Sequence, residues 1–480
     1  MSDKKADLAR AVLNNSLGRR EFLSRTSAMG LSATAAGVLL NSVATDALAQ
    51  SGAVDFQKYK GKSIKLLLNK HPYVDAMINN IENFKTLTGL NVTYDIFPED
   101  VYFDKVTAAL ASKSSTYDAF MTGAYQTWKY GPARQIVDLN TYIKDPKLTS
   151  PDYKWEDVFE SLRQSTAWDG KAGSKLGGPG SKQWAVPWGF ELNSVTYNRK
   201  VFDTLKITPP ENMSDLIEKA GKISKDSGGL YGIGVRGSRS WASIHAGFMS
   251  AYSNFGARDF SSAGGKLTPL MNSPESKAFH KQWIEMIRVG GPKNWSNYTW
   301  YEVGNDLGAG KSGMIFDADI LGYFMNGGSN KEAGNLGFSA FKPNPAAATP
   351  TPNVWIWSLA MSEFSKMKEA AWYFIQWASG TPNTTFGATK GDLVNPVRKS
   401  VLDNPDFQAR LEKSYPGYLK QFQASIATSK IYFTPQQLFP EFTTDWASML
   451  QQMHANQIPV DEGLDKLAQS LTKKLRDVGL

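Results

Sequence analysis

The sequence predicts an α/β protein of two lobes joined by crossover hinge strands, and three observations carry that reading. The chain is 480 residues long, more than one hydrophobic core of ordinary size organises. Short apolar strands alternate with amphipathic helices along most of its length. Two loops, a Gly-, Ser- and Lys-rich one at 170–182 and a Pro- and Ala-rich one at 342–352, each run into a fresh apolar strand, as crossings between lobes would. A chain that leaves one lobe, builds a second and returns forms a cleft, where small-molecule sites prefer to lie.

The alternation begins with an apolar strand at 64–68. Met77, Ile81 and Phe84 follow at helical spacing, with Gly89 placed to end the helix. Val92, Tyr94 and Ile96 then share one strand face, which completes a parallel α/β unit. Strand patterns return at 118–121, 185–197, 231–235, 313–317 and 354–361, with helical stretches at 213–224 and 276–288. From Glu441 the pattern is mainly helical, and Leu464, Leu467, Leu471 and Leu475 form one apolar stripe. The expected division is 50–185 with 345–390 in the first lobe, and 186–344 with 391–480 in the second.

Composition removes several function classes. The formal net charge of +8 contains no run of five like charges, which argues against a nucleic-acid or membrane-surface partner. Cysteine is absent, which excludes disulfides, thiolate metal sites, a cysteine nucleophile and a lipid-modified N-terminal cysteine. The four histidines, His71, His245, His280 and His454, lack zinc-helix spacing. Gly232, Gly234 and Gly237 match G-x-G-x-x-G but open no clear helix, so no dinucleotide site is expected. No metal and no cofactor are expected.

The N-terminus points outward. Arg19 and Arg20 precede Glu21, Phe22 and Leu23, then a weakly apolar run at 28–40, then Ala47, Leu48 and Ala49. This order resembles a twin-arginine export signal over residues 1–49, cleaved before Gln50. The run is too short to span a bilayer. A soluble mature chain in the periplasm is the expectation.

Five motifs in order then resemble the extracellular solute-binding proteins of ABC transporters, in the sugar-binding branch typified by maltose-binding protein. They are Val186–Pro187–Trp188–Gly189–Phe190–Glu191; Tyr197–Asn198–Arg199–Lys200 with Thr208–Pro209–Pro210; Gly310–Lys311–Ser312–Gly313–Met314–Ile315; Ser358–Leu359–Ala360–Met361 with Lys368–Glu369–Ala370–Ala371–Trp372; and Asn395–Pro396–Val397–Arg398–Lys399–Ser400. The resemblance implies a type II, Venus-flytrap periplasmic binding protein fold and a monomer that closes on a carbohydrate. It implies delivery to a membrane permease and, through it, a cytoplasmic ATPase.

The same resemblance nominates site residues. Glu191 aligns with a glutamate that binds sugar hydroxyls, which a carboxylate does with charge-strengthened hydrogen bonds. Tyr125 and Gln126 stand where the relative has an acid–arginine pair, which implies a different ligand. His71 and Tyr73 follow the first strand, Asp317 and Asp319 follow the strand at 313–317, and Trp446 fits a late stacking position. Trp188, Trp355 and Trp357 sit in the two crossing strands. Arg398 is open between a ligand contact and an interlobe ion pair, and Asp317 and Asp319 between ligand contacts and caps. Two other classes stay open: a secreted carbohydrate-active enzyme, and a binder of a cationic solute such as a polyamine.

Overall fold

The computed structural model describes residues 19–28, 54–263, 265–325 and 328–480. Arg19–Ala28 forms a helix; the rest of the expected export signal, including the Ala47–Leu48–Ala49 site, lies outside the described residues.

Seven strands make one path of hydrogen bonds through the molecule, and an eighth pairs beside it. In chain order they are β1 (Ser63–Asn69), β2 (Asn91–Phe97), β3 (Ala119–Gly123), β4 (Val186–Asn198), β5 (Tyr231–Gly234), β6 (Ser312–Ala318), β7 (Leu336–Ser339) and β8 (Val354–Met361). Their spatial order is β2-β1-β3-β8-β4-β6-β5, with β7 also paired to β4. The pairs β1–β2, β1–β3 and β5–β6 are parallel. The buried strands read as near-continuous apolar runs, as strands covered on both faces do.

The long strand β4 joins the two halves. Its first part, Val186 to Leu192, pairs antiparallel with β8 in the sheet that holds β1, β2 and β3. From Asn193 to Tyr197 it pairs instead with β6 in the other sheet. Glu191 therefore sits one residue before the end of the first pairing. The register slips between Trp357 and Ser358, which leaves Trp188 as the unpaired residue of a bulge.

Short helices follow the strands and place the site. Pro72–Ile78 (α1) starts at His71, whose side chain accepts from the Tyr73 amide as an N-cap while Pro72 supplies a preset φ. Glu99–Ala111 (α2) follows β2, and Ala124–Tyr130 (α3) follows β3. Ala242–His245 (α4) comes after β5. Trp300–Gly308 (α5) is fixed by a capping box between Thr299 and Glu302, and Asp319–Met325 (α6) follows β6 directly. The leucine stripe of the C-terminal helix Val460–Asp477 is buried, as its spacing predicts.

Candidate functional site

In open α/β sheets the carboxyl ends of parallel strands face the ligand crevice, and here two sets of such ends face each other. His71 follows β1, Glu99 follows β2, Arg236 follows β5, and Ile320 and Leu321 follow β6. Together with Glu191 of β4, His245 of α4 and the rings of Trp241, Trp300, Trp355 and Trp357, they line a cavity. The two halves meet around it. Phe103 of α2 packs edge-on against Trp241 at 5.4 Å, and His71 lies 6.2 Å from Phe324 of α6.

Glu191 is held on several sides. Trp357 Nε1 donates to its Oε1 at 2.7 Å. His71 Nδ1 accepts the Tyr73 amide at 3.1 Å, which places the ring proton on Nε2, facing the same Oε1 at 3.7 Å. Trp355 stands directly across the ladder from Glu191. Its ring crowds Gly123 so closely that a Cβ there would lie 2.0 Å from Cη2. Trp355 Nε1 and His245 Nδ1 are buried without a hydrogen-bond partner among the described residues.

On the opposite wall Arg236 is clamped by Asp317. Its Nη2 donates to Oδ1 at 2.6 Å and its Nε to Oδ2 at 2.9 Å, a bidentate pair with both side chains buried. Nη1 points to His245 Nε2 at 3.0 Å. Burial and the Arg236 charge hold the His245 ring well below the usual imidazole range, so it is neutral. Glu99 keeps some surface exposed, yet its carboxyl end is crowded by protein. That crowding pushes its pKa up to about 7 against the pull of Arg236, and the charge of Glu191 adds to the rise.

The match to known proteins now decides the family. The bacterial extracellular solute-binding protein family model matches residues 70–385. The chain belongs to that family. This solute-binding protein is 39% identical over 472 residues to the erythritol/L-threitol-binding protein of Mycolicibacterium smegmatis, across 96% of this chain and 98% of that one. It is 23% identical over 287 residues to the mannitol-binding protein of Pseudomonas aeruginosa, across 59% and 61% of the two chains. Two solved structures share its fold. A solute-binding protein of Agrobacterium vitis with bound D-mannitol gives a TM-score of 0.71 at 23% identity, over 87% of this chain and 99% of that one. One of Agrobacterium radiobacter with ribitol gives 0.73 at 20% identity, over 86% and 99%. The two-lobed type II periplasmic binding protein fold expected from the sequence is the one this solute-binding protein has. Its family is one of substrate-binding proteins rather than enzymes. Among the described residues no helix is long and apolar enough to cross a membrane.

Of the residues nominated from the sequence, the structure brings His71, Glu191, Trp355 and Trp357 together on the cavity wall. Tyr73 lies behind His71 and donates to the Phe190 carbonyl at 3.2 Å. Trp188 is buried against Tyr73. Tyr125 donates to the Val354 carbonyl at 2.7 Å behind Trp355, and Gln126 is buried beside Gly123. Asp317 reaches the site through Arg236. Asp319 accepts from the Leu192 amide at 3.0 Å and from Asn395 at 3.1 Å, and burial pushes its pKa up to about 7. Arg398 donates to the Ser379 carbonyl at 2.6 Å and the Lys154 carbonyl at 3.0 Å, away from the cavity. Trp446 donates to His280 Nε2 at 2.8 Å inside the second lobe.

The cavity residues that the sequence reading did not single out are Glu99, Arg236, Trp241, His245, Trp300, Ile320 and Leu321. One signal was present: Arg236 lies inside the G-x-G-x-x-G run. Those glycines serve close packing, since a Cβ at Gly232 would meet the Ala220 carbonyl at 1.9 Å and one at Gly237 the Trp295 carbonyl at 2.2 Å. The motif thus marks a tightly seated strand end rather than a phosphate loop.

Proposed function

We propose that this protein is the periplasmic receptor of an ABC importer for a small carbohydrate, with short acyclic polyols as its solutes, and that it binds without chemistry. The observation that carries this reading is the cavity itself. It is small, walled by four tryptophans, and furnished with hydrogen-bonding groups of both senses from both lobes: Glu191 and Glu99, Arg236, and the unpartnered Trp355 Nε1. Hydroxyl groups, each a donor and an acceptor, match such a set.

The polyol names of the 39% identical relative and of the ligands in the two solved neighbours support the choice within carbohydrates. A ligand that touches both lobes favours the closed form, and the closed form is what a permease and its ATPase would read. The receptor acts as a monomer.

Titration calorimetry with erythritol, L-threitol, D-mannitol, ribitol, maltose and spermidine tests this. The four polyols should include the tightest ligand, and mass spectrometry should recover it unchanged. Binding of spermidine alone, or release of an altered product, would overturn the reading.

A further inference from the structure

We propose that Glu99 meets the captured solute as a neutral carboxylic acid, donating a hydrogen bond to a hydroxyl oxygen, and that closing the lobes takes up one proton from solvent. This rests on the reading that the cavity is the solute site.

The charges around the cavity lead to it. Three carboxylates, Glu99, Glu191 and Asp317, are gathered with one guanidinium, Arg236. Asp317 neutralises Arg236 through its bidentate pair. His245 is neutral. His71 Nδ1 is taken up by the Tyr73 amide, and its Nε2 faces Glu191 rather than Glu99. Glu99 and Glu191 therefore remain as two uncompensated acids facing one small cavity, and an uncharged polyol brings no countercharge. Two such carboxylates share a proton when their hydration is removed.

Hydrogen bonding decides which acid holds it. Glu191 accepts from Trp357 Nε1 at 2.7 Å and faces His71 Nε2–H at 3.7 Å, so it already serves as an acceptor for two donors. Glu99 sits at the mouth of β2, where it faces Arg236 and Trp300 of the opposite wall and Asn69 and Glu191 on the side of its own sheet. Arg236 and Trp300 approach it from the other wall, so closure withdraws it further from water, and the rise of its pKa to about 7 agrees with this. In the open form the carboxyl returns to water and to the ordinary range. The solute then meets one acceptor carboxylate and one donor acid, which reads the oxygen of one hydroxyl and the hydrogen of another.

Linkage fixes the sign. A closed-state pKa above the open-state value means that binding strengthens as pH falls, by more than about tenfold from pH 7 to pH 5, and levels off above about pH 7. Calorimetry of erythritol, L-threitol and D-mannitol at about pH 6, in phosphate and in Bis-Tris, reads the proton directly from the difference in heat. The expected result is uptake near one proton per solute in the wild type and none in Glu99→Gln, whatever the affinity of that variant. Heats equal in both buffers would overturn the inference while leaving solute binding intact. Uptake that persists in Glu99→Gln would overturn it too, since the proton would then belong elsewhere. Should Glu99→Gln fail to fold, Asp319→Asn removes the other acid with a pKa near 7. Uptake retained there supports Glu99, and uptake lost there refutes it. No heat from any of the three polyols would defeat the solute reading itself, and this inference with it.

Discussion

Replacing Asp317 by alanine removes both carboxylate oxygens from a guanidinium that is buried but for its edge on the cavity wall. Arg236 loses its contacts at 2.6 and 2.9 Å and keeps His245 Nε2 at 3.0 Å and the Ala242 carbonyl at 3.4 Å, neither of which carries charge. Breaking a buried ion pair from one side costs about 3–5 kcal/mol, because the remaining charge is stranded. Roughly 430 ordered residues at about 2.1 cal/mol/K each give an unfolding entropy near 0.9 kcal/mol/K, so Tm should fall by about 3–6 °C. Removing both charges, in Arg236→Met with Asp317→Leu, leaves nothing stranded and should recover more than half of that loss. Scanning calorimetry on the wild type and the two variants makes the comparison. A single variant within about 1 °C of the wild type, or a double variant no better than Asp317→Ala, would show that the pair does not hold the wall as described.

Three further expectations follow from other parts of the molecule. Gly123→Ala drives a methyl into the Trp355 ring and should cost about 1–3 kcal/mol of stability together with at least tenfold in solute affinity; unaltered calorimetric binding would refute the role given to that ring. Glu191→Gln keeps an acceptor for Trp357 Nε1 but loses charge assistance, worth about 1 kcal/mol, so affinity should drop five- to tenfold with Tm nearly unchanged. Equal affinity in that variant would mean that Glu191 is structural. Replacing Arg19 and Arg20 by lysine should leave the precursor in the cytoplasm, which fractionation and blotting would detect; an unchanged periplasmic yield would contradict a twin-arginine route.

The strand and helix pattern was readable because burial imposes a period on it. The segment expected as a strand at 185–197 is β4 at Val186–Asn198, and that at 354–361 is β8. Trp355 and Trp357 could be named because they lie on a crossing strand, and Glu191 and His71 through the family resemblance, whereas Glu99 stands after β2 as His71 stands after β1 with no motif to mark it. Glu99, Trp241 and Trp300 enter from ends of elements and from loops, where no period exists to reveal direction. Asp317 illustrates a second limit. A carboxylate after a strand looks the same in sequence whether its partner is a solute or an internal arginine, and here the partner is Arg236, some eighty residues earlier in the chain. Trp446 and Trp188 were candidates for the same reason that they are buried: large rings suit cores and cavities alike.

The position of β8 also governs how the chain can fold. This strand lies between β3 and β4 in the first sheet, and its Met361 pairs with Ala119, roughly 240 residues earlier. The amino-terminal half of that sheet therefore has an empty centre until about three quarters of the polypeptide has been synthesised and the second lobe has been threaded through. Contacts so distant along the chain slow folding, and the waiting edge of β3 is a place where early intermediates would stick to one another. Maturation should accordingly be slow and end with the insertion of one strand, and a chaperone that shields β3 would raise the yield more than one that acts on the carboxyl-terminal helices.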